Sequence, residues 1–160
     1  MGTVALRDVQ DADLDLLFEY MRDPEAVRMA AFVGRDPNDR AAFDAHRARI
    51  SADPTILDLA ITLDGAFVGT IASFVIEGDT ELSYWIDPAH WGQGIATQAL
   101  TLFLDRQPHR PLHARAATDN QASLRVLQKS GFHITGTDRG FAQPRNTEIE
   151  ETILQLDQKS

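Results

Sequence analysis

Residues 81–100 read ELSYWIDPAHWGQGIATQAL. Glu81 to Ile86 is rich in β-formers, Asp87-Pro88 ends that run, and from Ile95 the composition turns helical. Between them lies Trp91-Gly92-Gln93-Gly94-Ile95-Ala96-Thr97, a glycine-bearing turn from strand to helix. The first N–H groups of a helix lack intrahelical partners and sit at the positive end of its dipole, so an anion, commonly pyrophosphate, is the natural guest. Glycine lets the backbone approach such a group closely. A plain tight turn is the alternative reading of the same residues. No Gly-Lys-Ser/Thr follows, which excludes a Walker loop. The preceding strand closes an antiparallel meander rather than opening a βαβ unit, which argues against a dinucleotide fingerprint. Another phosphate-bearing cofactor remains.

Upstream, Ile56–Leu63 and Phe67–Ile76 flank Asp64-Gly65, the pattern of a β-hairpin, and Glu81–Ile86 adds a third strand after Gly78-Asp79. The chain opens with a short alternating strand around Val4 and Leu6. Asp11 and Asp13 then start a helix that Asp23-Pro24 breaks. The segment onward to about Asp53 reads as further helix, with a turn and cap signal at residues 36–39. Downstream, the helix from Ile95 stops before Pro108 and Pro111, and Leu112–Ala117 is a strand. Asp119 or Asn120 caps a helix to Lys129, with Gly131 just beyond it. Phe132–Thr137 and Ile149–Leu156 read as final strands joined by a loop over 138–146. This order predicts one mixed α/β domain over residues 1–160 with a partly parallel sheet.

Composition narrows the function. One hundred and sixty residues suit one domain that buries roughly 70% of its unfolded surface. With 15 Lys+Arg against 24 Asp+Glu the formal charge is −9, which argues against a nucleic-acid partner and is compatible with a cationic substrate. There is no cysteine, so disulfides and thiolate metal sites are excluded, and the five histidines show no metal-ligand spacing. No basic leader or membrane-length apolar run is visible, and a cytoplasmic, membrane-free protein is the expectation.

The chain resembles the GNAT acetyltransferases, and within them the RimJ/RimL-like (ribosomal-protein alanine acetyltransferase-like) branch. The resemblance runs from Asp-Pro-Glu-Ala-Val-Arg at 23–28 through the 81–100 stretch to NQASLRVLQKSGF at 120–132 and the last strand. It implies a GNAT acyl-CoA N-acyltransferase fold, with about seven strands and about four helices, splayed at an acetyl-CoA site. It also implies direct transfer of acetyl from acetyl-CoA to a primary amine, with no metal. The lack of cysteine agrees, since no acetyl-cysteine intermediate can form. Homodimers occur in such families, and no sequence feature here establishes one.

Carried over by position, Gly92, Gly94 and Ala96 match the small residues of the family's pyrophosphate signature, with Gln93, Ile95 and Thr97 adding amides. Trp91 stands where the signature usually has Arg or Gln, as is common in this branch. Backbone groups of Trp85, Ile86 and Asp87 would pair with the pantetheine arm as an added strand does. Asn120 and Ser123 fall near the cofactor arm, with Ser123 placed to protonate the departing thiolate. Read without the resemblance, Asn120 is a helix cap and Ser123 a first-turn serine bonded to backbone. Arg125 and Lys129 could reach CoA phosphates, though solvated surface charge is the stronger reading. Many relatives carry a tyrosine general acid four residues before the glycine of Gly-Phe, and that position here is Leu127. A tyrosine acid from this helix is excluded, leaving Ser123 or a water.

Glu81 stands where several relatives keep a glutamate that deprotonates the amine through water. A strand carboxylate with no role is the equal alternative, and His90 and His113 are rival bases. The amine is expected opposite the cofactor, between the N-terminal helices and the 138–146 loop. A non-catalytic acyl-CoA sensor, or a structural interaction module, is the rival from another class.

Overall fold

A computed structural model of the chain describes residues 2–33 and 36–158. β1 (Val4–Asp8) leads through α1 (Asp11–Arg22), α2 (Pro24–Ala30) and α3 (Arg40–Ala52) to a meander of β2 (Leu57–Leu63), β3 (Ala66–Ile76) and β4 (Asp79–Ile86). Then come α4 (Ile95–Arg106), β5 (Leu112–Ala117), α5 (Gln121–Lys129), β6 (His133–Ala142) and β7 (Thr147–Leu156). The seven strands form one sheet in the order β1-β2-β3-β4-β5-β7-β6. This is the mixed α/β architecture anticipated, with five helices among the described residues instead of about four. The stretch after Pro24 divides in two, because Asp23 caps α2 and Asp39 separately caps α3.

Each sheet face buries its own apolar set. On one, Ala99, Leu100 and Phe103 of α4 and Leu124 and Leu127 of α5 cover Leu59, Ile61, Ile71, Leu82 and Ile86. On the other, Leu17 and Phe18 of α1 and Phe43 of α3 meet Ala60 and Phe67, with Trp85 beside them. Strand alternation makes both possible, since successive side chains of β4 point to opposite faces: Leu82, Tyr84 and Ile86 to the first, Trp85 to the second.

One irregularity positions the site. β4 and β5, the sheet's parallel neighbours, pair only at Thr80↔Leu112 and Glu81↔His113. Beyond that they part, while β5 stays paired with β7 from Leu112 to Ala117. The separation leaves a slot in the middle of the sheet, reachable from both faces.

The expected 138–146 loop is mostly strand. β6 continues to Ala142, and pairs such as Asp138↔Glu151 and Arg139↔Glu150 keep it in register with β7 past a bulge between Ile134 and Gly136. Only a short 3-10 turn, Gln143–Arg145, and Asn146 join the strands. Gly140, Pro144 and Asn146 suggested a loop, but an edge strand with solvated side chains tolerates glycine, and Gly140 packs near the Phe32 ring.

Candidate active site

The slot opens into a cavity of about 880 Å³ that reaches both sheet faces. On the α4–α5 face the glycine turn is held open by local chemistry. Gly92 and Gly94 adopt φ of 79° and 77°, a left-handed backbone that side chains disfavour. No neighbouring atom stands within 4 Å of a Cβ placed on Gly92, so conformation rather than crowding demands glycine there. Gly94 is the N-cap of α4 and makes no side-chain cap, which leaves the first amides of that helix without a capping oxygen. Trp91 braces the turn by donating its indole N–H to the Ile86 carbonyl at 3.1 Å. Trp91, Gly92, Gly94, Ile95, Ala96 and Thr97 all line the cavity, whereas Gln93 does not.

The three backbone positions assigned to the pantetheine arm divide. The Asp87 N–H donates to the Val68 carbonyl at 2.8 Å, and a Cβ on Gly69 would meet the Trp85 carbonyl oxygen at 2.1 Å. Backbone groups of Trp85 and Asp87 therefore serve β3, and by alternation those of Ile86 and Tyr84 face the slot. Of the three predicted positions, only Ile86 presents its backbone to the cleft. The Asp87 side chain is engaged elsewhere, capping the 3-10 turn Pro88–His90 at the Ala89 N–H and pairing with His90 Nδ1 at 3.0 Å.

Across the slot, Asn120 caps α5 by accepting from the Ser123 N–H at 3.3 Å, and both residues line the cavity. The Ser123 hydroxyl is not spent on its own helix: its Oγ lies 2.9 Å from Tyr84 Oη. Burial pushes the Tyr84 phenol up from its ordinary value, and the Ser123 hydrogen bond pulls the other way. Leu127, at the family's tyrosine position, is core, with 2% exposure. Arg125 and Lys129 are exposed on α5, and both line the cavity.

On the α1–α3 face Arg115 is a hub. Its guanidinium lies 3.5 Å from Glu81, 3.1 Å from Glu151 and 3.7 Å from Asp138. Burial raises the Glu81 carboxyl above the usual carboxylate range, opposed by the nearby charges of Arg115 and His113. Arg115 and Glu151 line the cavity, while Glu81 lies behind them, outside its wall. His113 faces Asp79 at 3.6 Å and also lies off the wall, whereas His90 is on it. Deeper in, Arg47 of α3 pairs with Asp58 of β2, both nearly buried and both lining the cavity. No residue of 138–146 lines it, so on this face the wall is α1–α3 with strands β2 to β5 and β7.

Sequence reasoning missed Arg115, Glu151 and the Arg47–Asp58 pair, because each contact joins residues distant along the chain. The Tyr84–Ser123 contact spans 39 residues and escaped for the same reason. Among the described residues no group of three or more His, Asp or Glu side chains is arranged to hold a metal ion, and no helix is long and apolar enough to cross a membrane.

Residues 3–133 match the model of the acetyltransferase (GNAT) domain. The chain belongs to that family. Over 84 residues it is 38% identical to "Probable N-acetyltransferase YjcK" of Bacillus subtilis (strain 168), a match covering 48% of this chain and 46% of that protein. The chain thus aligns with about half the length of that relative. The GNAT superfamily phosphinothricin acetyltransferase of Sinorhizobium meliloti, solved with acetyl-CoA, shares the fold with a TM-score of 0.82 at 20% identity, over 98% of this chain and 89% of that one. RimJ of Mycobacterium smegmatis, solved with CoA-disulfide, does so with a TM-score of 0.81 at 23% identity, over 98% and 82%.

The residues present fit acetyl-CoA. The GNAT domain here offers uncapped helix amides for a pyrophosphate, the cations Arg125 and Lys129 on the wall of the same cavity, and a strand edge at Ile86 and Tyr84 for an amide-bearing arm. These local groups meet the anionic ligand despite the −9 overall charge.

Proposed function

We propose that the chain is an acetyl-CoA-dependent N-acetyltransferase of the RimJ/RimL-like branch. It transfers acetyl directly to a primary amine, a protein N-terminus or a small molecule, in a cytoplasmic ternary complex. One observation carries this reading: a single cavity joins the glycine turn of α4 on one sheet face to the Arg115 carboxylate cluster on the other, through the slot between β4 and β5. The thioester supplies an activated acetyl group, and the protein's part is to hold it at the slot and admit a neutral amine from the opposite side.

Gly92, Gly94, Ile95, Ala96 and Thr97 bind the pyrophosphate through backbone amides, and Asn120 fixes the start of α5 so that Ser123 faces the sulfur. Ser123 is the proton donor to the leaving thiolate. Glu81 is the base, acting through water because it stands behind Arg115 rather than on the cavity wall. Glu151 is a second reading for that role, favoured by its place on the wall itself.

An amine-library screen with acetyl-CoA, reading thiol release, tests the function. Turnover with at least one amine is expected, and acetyl-CoA binding without turnover on any amine would indicate the sensor instead. With a good amine in hand, Glu81→Gln and Glu151→Gln separate the two bases. The true base loses about 10²-fold or more in kcat with acetyl-CoA binding retained, and the other keeps most of its activity.

A further inference from the structure

The helix position that carries a tyrosine acid in many relatives is Leu127, yet a phenol still reaches the reacting end of the cleft from another element. Tyr84 projects from β4 onto the α4–α5 face, and its Oη meets Ser123 Oγ at 2.9 Å. Both residues line the cavity, at the point where β4 leaves β5. A serine hydroxyl can donate one hydrogen bond while accepting another, so it can pass a proton on without holding a charge. We infer that Tyr84 and Ser123 form a two-hydroxyl relay, with Tyr84 the positioning residue and proton reservoir behind Ser123 for protonation of the CoA thiolate. This inference rests on the acetyltransferase reading above.

In the transfer, the amine nitrogen forms the new C–N bond, the thioester C–S bond breaks, and its electron pair stays on sulfur. Ser123 gives its proton to that sulfur as its oxygen takes the Tyr84 proton, so CoA leaves as the thiol and the negative charge rests on the phenolate. The proton lost by the amine nitrogen leaves on the acceptor side through water and carboxylate, and Tyr84 regains its own from solvent once the cleft empties. An isolated serine would have to become an alkoxide, which is far less stable than a phenolate. That is why the second hydroxyl matters.

Tyr84 packs half-buried against the apolar residues of the α4–α5 core. Burial raises its pKa, and the Ser123 hydrogen bond acts in the opposite direction, toward proton release. Among the described residues, the phenol's hydrogen-bonding partner is the Ser123 hydroxyl. Arg125 and Lys129, the cations on the same wall, are exposed side chains of α5.

Two readouts test the relay. With a turned-over amine, Tyr84→Phe lowers kcat about tenfold with little change in KM for acetyl-CoA, and Ser123→Ala lowers it at least as much. The proton inventory in mixed light and heavy water is curved in the wild type, showing two protons in flight, and becomes linear in Tyr84→Phe. Ser123→Thr, which keeps both hydroxyls of the relay, keeps the curvature. An unchanged inventory and kcat in Tyr84→Phe, with Ser123→Ala impaired, would overturn the relay and leave Ser123 acting alone. The second readout needs no turnover: the thiol of bound CoA, followed by its ultraviolet thiolate absorbance, titrates about one pH unit higher in Tyr84→Phe than in the wild type. If no amine is acetylated, the acetyltransferase reading fails while this titration still decides the relay. An identical bound-thiol titration in wild type and Tyr84→Phe would sink it.

Discussion

Glycine 94 shows how much one residue can decide. Its φ of 77° begins α4 without a side-chain cap, so the first amides of that helix remain available to a phosphate. Gly94→Ala would place a Cβ in the left-handed region at a cost of about 1–2 kcal/mol, and relief of that strain would turn the amides away. A lower melting temperature and weaker acetyl-CoA binding by calorimetry, with kcat on saturating cofactor much less affected, are the expected outcomes. Glu81 offers a sharper test by pH. As a base it works in its carboxylate form, and burial raises its pKa, so activity should rise with pH through a limb above the ordinary glutamate range. Arg115 holds that value down. Arg115→Met should therefore move the acid limb of kcat/KM to higher pH, and a pH–rate profile that stays put in this variant would remove Glu81 from the role. The residue types at the glycine turn were readable in the chain itself. The partners of Glu81 were not, because Arg115 and Glu151 arrive from β5 and β7.

Elements meet through a few buried polar contacts as well as through apolar faces. Asp13, in the first turn of α1, is 4% exposed and is gripped by Arg7 of β1 through bonds of 2.6 and 2.9 Å. It also accepts from the Gln10 N–H at 2.8 Å. The Arg7 hydrogen bonds, more than any other influence, hold the Asp13 carboxyl below its usual range. A depressed folded pKa means stability that is complete above the unfolded value of about 3.9 and is lost as pH falls through the folded one. Arg7→Met should destabilise by about 1–3 kcal/mol at neutral pH and flatten this part of the acid unfolding curve, as denaturant melts at several pH values would show. The sequence pointed to acidic residues favouring the helix start, a local effect. The stronger interaction comes from the neighbouring strand, and its geometry exists only once β1 is paired with β2. The hairpin of β6 and β7 is the converse case, where glycines and polar residues spelled a loop and long-range pairing made a strand.

For the whole molecule, acetyl-CoA that binds only the folded state must stabilise it. At about a hundredfold excess over its Kd the gain is about 2.7 kcal/mol, or roughly 5–10 °C for a domain of this size. Thermal melts with and without acetyl-CoA check this, and no shift at high concentration would favour a plain interaction module. The chain by itself determined the order of strands and helices, the glycine turn and its anion chemistry, and the absence of a cysteine route. Those depend on contacts within a few residues, on periodicity and on composition, all of which are written along the chain. Tertiary structure alone decided which face each β4 side chain serves, that Ile86 rather than Trp85 or Asp87 presents its backbone to the slot, and that Tyr84 reaches Ser123 while Glu81 stands behind Arg115. The physical reason is the parting of β4 from β5 after two paired residues. A break between strands that lie far apart in sequence is set by the packing on both sheet faces, and no local pattern records it.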